Sequence, residues 1–258
     1  MKTNRSVIRK LADSSQDNNH VEAKFSRKSL QKLDPQKIIE AYDKWPEIGQ
    51  KSYENSVDII EIKNFSNITF AGMGGSNLVN MVISSILSKD KIPSVNINGF
   101  DITNNLNSDS VFVATSISGN TLETITALDS ARKAHCHIIA FSEGGKLEEY
   151  CKKHGLEHRR VSKFHSPRAS FVSLLYSMLR ILQPILPIHE KEILESLNQL
   201  SVTKQKISSK NLTDTNPALN LAFWFPKTPV IYYSKTLETS AIRLLELVIG
   251  APLASDQV

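Results

Sequence analysis

Three hydroxyl side chains and a glycine lie within six residues at 116–121, where the sequence is Ser-Ile-Ser-Gly-Asn-Thr. This segment follows an apolar, β-branched run at 111–115 and precedes apolar residues at helical spacing. The first amides of a helix have no internal partner, and the helix dipole favours an anion there. Hydroxyl donors beside a helix start could therefore hold a phosphate, and Gly119 would let the main chain come close. Ser118 or Asn120 could instead cap the helix, and this segment alone leaves both interpretations open.

A second turn, Gly72-Met73-Gly74-Gly75-Ser76, follows a short apolar stretch at 67–71. One alternative for it is a dinucleotide-binding turn. That fingerprint requires a glycine at the position of Asn77 and an acidic residue at the end of the next strand, where Asn96 and Asn98 stand. Both turns would lie at the carboxyl ends of parallel strands and point at one crevice. A small phosphorylated ligand therefore explains the two turns more simply than a nicotinamide cofactor does.

The elements that would position these turns alternate between strand and helix. Apolar runs predict five strands, at 67–71, 95–98, 111–115, 137–141 and 157–161. Helical patterns are found at 35–56, 77–88, 169–184, 188–207 and 237–249, and Asp34 would cap the first of them. Two further helices are predicted, one that begins at 122 and one that ends at 153. Strands that alternate with helices form a parallel sheet with crossover helices, which predicts an α/β fold. A new strand-then-helix pattern begins at 229–233.

Composition narrows the class of protein. With 258 residues, 40% hydrophobic and 22% charged, the sequence is typical of a soluble globular chain. It has no apolar run that could span a bilayer and no segment like a signal peptide, so we expect no membrane partner. The two cysteines, Cys136 and Cys151, are too few for a disulfide framework and lack the spacing of a zinc site. This pattern favours a reduced, cytoplasmic setting.

The net charge of +5 is compatible with an anionic ligand. The basic residues are scattered, and no helix-turn-helix or RNA-binding signature occurs. We therefore expect no nucleic-acid partner.

Taken together, these stretches resemble the SIS (sugar isomerase) domain and, more narrowly, the bifunctional phosphoglucose/phosphomannose isomerase family. The matching segments follow the family order and lie at 71–76, 116–124, 144–147 and 167–169. The likeness extends from about Leu33 to Arg243. It implies a three-layer αβα fold of the SIS type, with a second SIS-type unit that begins and is cut short.

Residues 1–30 are polar with mixed charges and lie outside the resemblance, so we expect them to form a flexible N-terminal extension. For the rest of the chain the resemblance implies a domain organisation, in which 31–160 form a first SIS domain that binds the phosphosugar. A helical linker at 161–210 and the incomplete start of a second SIS domain at 211–258 follow.

Five substrate-binding residues are implied by the two turns. In the family, the glycine–serine turn contacts the substrate, a role that falls here on Gly75 and Ser76. The serine–threonine loop holds the sugar phosphate, a role that falls on Ser116, Ser118 and Thr121.

An arginine that follows a proline sits by the reacting carbons in the family, and Pro167 and Arg168 match this pair. Arg168 also has a chemical rationale as the catalytic residue. Aldose–ketose isomerisation passes through an enediolate, and a fixed guanidinium stabilises the charge that develops there. Without the other motifs, Arg168 would be interpreted as a surface arginine after a turn proline.

The sequence departs from the family where the catalytic glutamate is expected. The Ala-x-Arg pattern is present at 241–243, but the segment 244–251 does not match, and the position of the base falls on or near Gly250. Glu238 and Glu246 lie close by without the matching spacing, so we interpret both as ordinary helix glutamates. A later histidine and a C-terminal lysine of the family also have no counterpart.

The expected function is therefore that of an aldose–ketose isomerase, which interconverts glucose 6-phosphate or mannose 6-phosphate with fructose 6-phosphate through an enediolate. The alternative is a non-catalytic SIS module that binds a phosphosugar, favoured by the unmatched glutamate. His165 is close to Arg168 and could supply a base. No cofactor and no metal are implied. The resemblance also implies a homodimer, with apolar surface at 229–249.

Overall fold

The computed structural model describes residues 27–56, 58–62, 64–100, 106–224, 230–234 and 237–249. Their contacts divide them into two compact units. One unit, called here the sheet unit, contains the described residues of 47–193 and 231–249. The other, called the helical unit, contains those of 27–46 and 194–230.

The sheet unit is built on five parallel strands in the order β2-β1-β3-β4-β5. The strands are β1 (Asn67–Gly72), β2 (Ser94–Ile97), β3 (Ser110–Thr115), β4 (His137–Ser142) and β5 (Glu157–Arg160). The central strands are buried along nearly their whole length, which is why they are apolar without alternation. The edge strands β2 and β5 are partly exposed and more polar.

Ten α-helices accompany the strands in the described part of the chain. In order they are α1 (Arg27–Leu33), α2 (Ile38–Asp43), α3 (Trp45–Asn55), α4 (Gly75–Leu87), α5 (Leu122–Lys133), α6 (Gly145–His154), α7 (Phe171–Ile181), α8 (Glu190–Ile207), α9 (Pro217–Trp224) and α10 (Glu238–Ile249). None of them is long and apolar enough to cross a bilayer.

The core of the sheet unit lies between the strands and their crossover helices. Phe70, Phe112 and Phe141 are fully buried, and each such burial contributes about 1.5–3 kcal/mol to folding. Helices α5 and α6 cover the face that carries Phe112, while α4 packs on β1 and β2 and against α7. Because the crossovers hold helices on both sides of the sheet, the turns at its carboxyl edge have fixed positions.

The predicted α/β fold, a parallel sheet flanked by helices, is confirmed, and all five predicted strands are present. The strand predicted at 229–233 is wrong for its described part, because residues 230–234 have no regular secondary structure. A β-branched run forms a strand only where a neighbouring strand pairs with it, and no described strand does so here. Helix α10, which follows it, packs instead against α4 of the sheet unit. The domain boundaries at 30, 160 and 210 stay predictions.

Helix α1 begins at Arg27, a few residues before the predicted boundary at 30. One prediction near the N-terminus needs correction. The helix predicted at 35–56 is two helices, because Pro46 has no N–H to bond to the preceding turn and restricts the residue before it. Asp34 lies before the N-cap position of α2, which is Lys37, but its carboxylate caps the first turn by accepting hydrogen bonds from the amides of Ile38 (2.9 Å) and Ile39 (2.8 Å).

Candidate functional site

The strand order places a crevice at the carboxyl ends of β1 and β3. From β1 the chain crosses to β2 on one side, whereas β3 is followed by β4 and β5 on the other. In open α/β sheets, ligands bind where the order reverses in this way. Gly72 and Thr115, the last residues of the two strands, are paired in the register. The turn after β1 and the segment 116–121, called here the phosphate loop, therefore start side by side.

Within the phosphate loop, hydroxyl groups and main chain hold each other. The Ser116 and Thr121 hydroxyl oxygens are 2.8 Å apart, and the Gly119 amide donates to the Ser116 hydroxyl oxygen at 3.1 Å. Ser116 is buried, Thr121 is partly exposed and Ser118 is exposed. The predicted phosphate-binding residues thus share one loop, with two of the three hydroxyls in direct contact.

Helix α5 begins directly after Thr121 and has no side-chain cap hydrogen bond at that position. Ser118 accepts a hydrogen bond from the Asn120 amide within the loop (3.3 Å). Asn120 accepts one from the amide of Lys146, which belongs to the next helix (3.2 Å). The alternative that Ser118 or Asn120 caps α5 is therefore not realised, and the first turn of this helix faces the loop without a side-chain cap.

A turn after β4 supports the phosphate loop from behind. Gly119 has φ +67°, and a Cβ built on it would lie 1.7 Å from the carbonyl oxygen of Gly144. The amide of Leu147 donates to the Gly119 carbonyl at 2.8 Å. Only glycine fits at this position, since the conformation and the close approach both exclude a side chain. Sequence reasoning matched the segment 144–147 to the family without finding this role.

His158, in β5, stabilises the Gly144 turn through the Ser142 hydroxyl. His158 and Ser142 are hydrogen bonded through Nε2 and Oγ (2.7 Å), and the Ser142 hydroxyl donates to the Gly144 carbonyl (2.8 Å). If the Ser142 proton points at Gly144, the imidazole Nε2–H must be the donor to Ser142. Burial lowers the pKa of His158, while the nearby Glu148 carboxylate opposes that shift. The imidazole is therefore neutral at pH 7.

The turn after β1 is anchored by polar groups that sequence reasoning missed. The side-chain amide of Asn80 and the Thr115 hydroxyl are 2.9 Å apart, and the Thr115 hydroxyl also donates to the Ala71 carbonyl at 3.2 Å. Both side chains are fully buried. A Cβ on Gly72 would lie 2.4 Å from the Thr115 hydroxyl, so this pair requires glycine there. The signal in the sequence was an asparagine on the apolar side of a predicted helix.

Two buried polar atoms lie in the first turns of the helices that begin at the crevice. They are the Asn77 side-chain oxygen, in α4, and the Thr124 hydroxyl, in α5. Neither has a hydrogen-bond partner in the part of the chain that the structure describes. Buried polar groups usually find a partner, so these two atoms are suited to a polar ligand or to water held beside it.

The Pro167–Arg168 pair lies in the segment 164–171, called here the arginine turn. Ser170 is fully buried and joins this turn: it accepts from the Phe164 amide at 2.9 Å and donates to the carbonyl of Ser166 at 2.8 Å. Pro167 is exposed and Arg168 is partly exposed.

The arginine turn is linked to the turn after β1. The Arg243 guanidinium donates from Nη2 to the Arg168 carbonyl oxygen at 2.8 Å. Its Nη1 lies 4.0 Å from the position of a Cβ built on Gly75. The structure thus brings Gly75, Ser76 and the Arg168 main chain close together in the sheet unit. Ser76 is 9% exposed, at the start of α4.

Two of the candidates for the proton-transfer base have side chains that the structure describes. Glu238 opens α10 and is partly buried, and His165 is exposed with φ +58° in the arginine turn. Glu246 belongs to α10, but its side chain and Gly250 lie outside the described residues.

No group of three or more His, Cys, Asp or Glu side chains suited to a metal occurs among the residues that the structure describes. Burial raises the pKa of the Cys151 thiol to about 11, so this cysteine is protonated and unsuited to metal binding or nucleophilic attack.

The helical unit contains a separate cleft of about 620 Å³, lined by side chains of 27–44 and 204–210. Two of its carboxylates already have protein partners. Asp34 caps α2, and Asp43 binds the amide and hydroxyl of Ser209. None of the motif residues lines this cleft, so we place the candidate site at the sheet edge.

No protein-family model matches the sequence. The bifunctional phosphoglucose/phosphomannose isomerase of Caldicellulosiruptor bescii is 30% identical over 219 residues, which are 80% of this chain and 63% of that protein. The protein of the same name from Thermoplasma acidophilum is 30% identical over 179 residues, 69% of this chain and 53% of that protein. The chain thus spans less than two thirds of the length of these relatives.

Among solved structures, the tagatose-6-phosphate ketose/aldose isomerase of Escherichia coli superposes with a TM-score of 0.54 at 17% identity, over 82% of this chain and 64% of that one. The parallel sheet and its flanking helices therefore define a protein with the fold of a phosphosugar isomerase. More particularly, the chain is related in sequence to the bifunctional phosphoglucose/phosphomannose isomerases, and the resemblance predicted from its motifs is confirmed.

Proposed function

We propose that this chain is a phosphosugar isomerase of the glucose-6-phosphate and mannose-6-phosphate type, with fructose 6-phosphate as the shared ketose. The observation that carries the proposal is the phosphate loop at the reversal point of the sheet, with Ser116 and Thr121 in contact beside an uncapped helix start. The names of the relatives support the substrate class. No cofactor is needed, because proton transfer through an enediolate can run on protein groups alone.

In the proposed mechanism, the phosphate binds to Ser116, Ser118, Thr121 and the first amides of α5. A base removes the proton from C2 of the open-chain aldose, and the electron pair forms the C1–C2 double bond of the enediolate. Arg168 stabilises the oxygen that becomes negative. The O2 proton passes to O1, and return of the proton from the base to C1 gives the ketose. The remote phosphate contacts supply the binding energy that holds C1 and C2 in place for this transfer.

The residue that acts as the base in this mechanism is not assigned. The family position falls near Gly250, while Glu238 and His165 are the described alternatives in the sheet unit. The competing proposal is a non-catalytic SIS module that binds phosphosugars, which the unmatched segment 244–251 favours. Both proposals share the same binding residues and differ only in turnover, so one pair of assays separates them.

Binding is tested by calorimetry with glucose 6-phosphate. The double variant Ser118→Ala/Thr121→Ala removes two hydroxyl donors and is expected to weaken binding by at least about 10-fold, since a hydrogen bond to a charged group contributes about 1.5–3 kcal/mol. The matched control is Ser130→Ala/Thr126→Ala, on the same helix α5 away from the loop. Unchanged affinity in a folded double variant would refute the phosphate loop as the site.

Turnover is tested by coupled conversion of fructose 6-phosphate to glucose 6-phosphate, with Arg168→Ala as the control variant. A rate near the enzyme median of about 10 s⁻¹ would exclude the non-catalytic module. Binding without turnover would favour it, because loss of general base catalysis typically costs a factor of about 10²–10⁴. With turnover present, Glu238→Gln and His165→Gln identify which group supplies the base.

We also propose a cytoplasmic homodimer. Exposed apolar side chains near the start of α10 support association, since Tyr232 is 93% exposed and Leu237 is 57% exposed. Tyr232→Ser/Leu237→Ser is expected to shift sedimentation towards the monomer. A wild-type chain that remains monomeric at high concentration would contradict this proposal.

A further inference from the structure

We infer that Arg243 is a positioning residue, which holds the main chain of Arg168 against the turn after β1. This inference rests on the proposed function for its catalytic meaning. Its structural part concerns two segments of the sheet unit, the arginine turn and the Gly75–Ser76 turn, and stands without any substrate. In the sequence, Arg243 is recognisable only as part of the Ala-x-Arg pattern at 241–243.

The Arg243 guanidinium lies beside both the arginine turn and the turn after β1. Nη2 donates to the Arg168 carbonyl oxygen at 2.8 Å, and Cζ lies 5.6 Å from the centre of the Phe171 ring. On another side, Nη1 is 4.0 Å from the position of a Gly75 Cβ. Helix α10 supplies the arginine, whereas the arginine turn and the start of α7 supply the carbonyl and the ring. One side chain thus binds the arginine turn and lies beside the Gly75 turn, the two segments proposed to touch the substrate.

Arg243 is buried, so these interactions lie inside the protein and not on its surface. Arg243 is only 9% exposed, and a guanidinium in such a place loses most of its hydration. A charge-assisted hydrogen bond to a carbonyl offsets part of that cost, by about 1.5–3 kcal/mol. The contact with the Phe171 ring adds a cation–π term. The Arg168 carbonyl is thus one of the groups that stabilise this buried cation.

The geometry requires arginine rather than lysine. A planar guanidinium can donate in its plane to the Arg168 carbonyl while its face lies over the Phe171 ring. The ammonium of lysine is a compact point charge that cannot make both contacts with one orientation. Arg243→Lys therefore keeps the charge and removes the positioning, which separates an electrostatic role from a geometric one.

The positioned group is the Arg168 side chain. Its own carbonyl is held by Arg243, and two residues later the Ser170 hydroxyl holds the arginine turn from inside. With the main chain fixed on both sides, the Arg168 guanidinium samples fewer positions, which favours pre-organised stabilisation of an enediolate. A change at Arg243 is then expected to act through Arg168 and to leave the phosphate loop intact.

The first test is hydrogen exchange of the segment 164–171 in the full chain without ligand. Arg243→Lys is expected to speed exchange there by about 10-fold, the equivalent of one charge-assisted hydrogen bond. Exchange at 116–121 should stay unchanged. Arg180→Lys is the matched control, because Arg180 also lies over an aromatic ring, that of Tyr53, at 5.3 Å. Unchanged exchange at 164–171 in Arg243→Lys would overturn the inference, whatever the chain does with sugar phosphates.

The second test is a double-mutant cycle on glucose 6-phosphate turnover, or on its binding if turnover is absent. Arg243→Lys and Arg168→Ala should be strongly non-additive, because the first acts through the second. Affinity for inorganic phosphate, measured alongside, should change less than about 3-fold since the phosphate loop is untouched. Additive effects would overturn the inference. If the wild-type chain binds no sugar phosphate, the proposed function fails and the exchange experiment alone decides the inference.

If Arg243→Lys does not fold, Arg243→Met replaces it in both tests. This variant keeps an unbranched side chain of similar length and removes the donor to the Arg168 carbonyl. Faster exchange at 164–171 supports the inference, and unchanged exchange contradicts it.

Discussion

The phosphate loop and the arginine turn are both proposed to bind the substrate, yet different groups hold them from outside. The phosphate loop rests on main-chain groups of the following turn: the Gly119 carbonyl accepts a hydrogen bond from the Leu147 amide, and the absence of a Cβ on Gly119 lets the Gly144 carbonyl approach. The arginine turn has main-chain hydrogen bonds of its own and is held from outside by a side chain, the Arg243 guanidinium of α10.

This difference follows from where the two segments lie in the fold. The phosphate loop joins a central strand to its crossover helix, so the sheet itself fixes both ends. The arginine turn follows the edge strand β5 and precedes α7, and no strand continues beyond it in the described sheet. A turn without such a frame needs side chains from elsewhere. We expect a single substitution in the phosphate loop either to abolish ligand binding or to leave it intact. Substitutions in the arginine turn should instead have effects of intermediate size.

The largest effect is expected from Gly119→Ala. The new Cβ would lie 1.7 Å from the Gly144 carbonyl oxygen, so one of the two turns must move. Displacing packed backbone costs about 1–3 kcal/mol or more, and the left-handed φ adds about 1 kcal/mol. Glucose 6-phosphate binding should be lost, as measured by calorimetry, and the midpoint of urea unfolding should fall.

Gly155→Ala is the matched control for this variant. Gly155 has a similar φ of +64° but nothing within 4 Å of its Cβ position. It should therefore cost only the conformational term and leave binding intact. Equal losses in the two variants would mean that close packing against Gly144 does not matter.

A smaller, graded effect is expected from Ser170→Ala in the arginine turn. This change leaves the partly buried Phe164 amide without its acceptor, at a cost of about 1–3 kcal/mol. Thermal unfolding should shift accordingly, while affinity for inorganic phosphate should be unchanged. Ser130→Ala, which removes only a bond to the Thr126 carbonyl, serves as the control and should cost less. Loss of phosphate binding in Ser170→Ala would break the separation between the two regions.

The pH dependence of stability tests the support of the phosphate loop, because His158 helps to hold the Gly144 turn that packs on Gly119. Burial lowers the pKa of His158, so the unfolded chain binds its proton more readily than the folded chain. The stability that the neutral imidazole contributes is present above the ordinary histidine pKa of about 6.5 and is lost as pH falls through the lowered, folded value. Glu148, Lys152 and Arg160 face this histidine and set the size of the shift.

The measurement is urea unfolding of wild type and His158→Gln between neutral and acidic pH. The stability advantage of wild type should shrink as pH falls below about 6.5. A constant difference across that range would contradict the neutral state of His158 in the folded chain.

The smallest effect is expected at Asp129, on the outer face of α5. Hydrogen bonds from Lys133, Tyr150 and Arg132 lower the pKa of this carboxyl well below its usual range. The side chain is nevertheless 31% exposed, and solvent-screened pairs contribute only about 0–1 kcal/mol. Asp129→Asn should therefore change the unfolding free energy by less than about 1 kcal/mol and leave binding unaffected. A large loss of binding would mean that the phosphate loop depends on the outer helix surface.

Much of the sheet could be predicted because its signals are local. The buried strands at 67–72 and 110–115 are continuous apolar runs, and the turns after them contain the residues that such turns require. The strand at 229–233 had the same local signal and failed, since pairing with a neighbour decides whether an extended run becomes a strand. The break before α3 was also visible in principle, because Pro46 marks it.

Contacts between segments that are distant in the sequence could not be predicted from it. Nothing local indicates that Arg243 reaches the carbonyl of a residue 75 positions away, or that Asn80 binds Thr115. The packing of Gly144 on Gly119 was equally hidden, although both glycines stood in matched motifs. These contacts depend on the order of strands, which only the folded sheet reveals.

The most direct test of the account is an amide NMR titration of the full chain with glucose 6-phosphate, inorganic phosphate and glucose. The account predicts saturable shifts of the Gly119, Asn120 and Thr121 amides with the two phosphate-bearing ligands and no such shifts with glucose. Shifts confined to other segments, or equal shifts with glucose, would contradict the assignment of 116–121 as the phosphate loop.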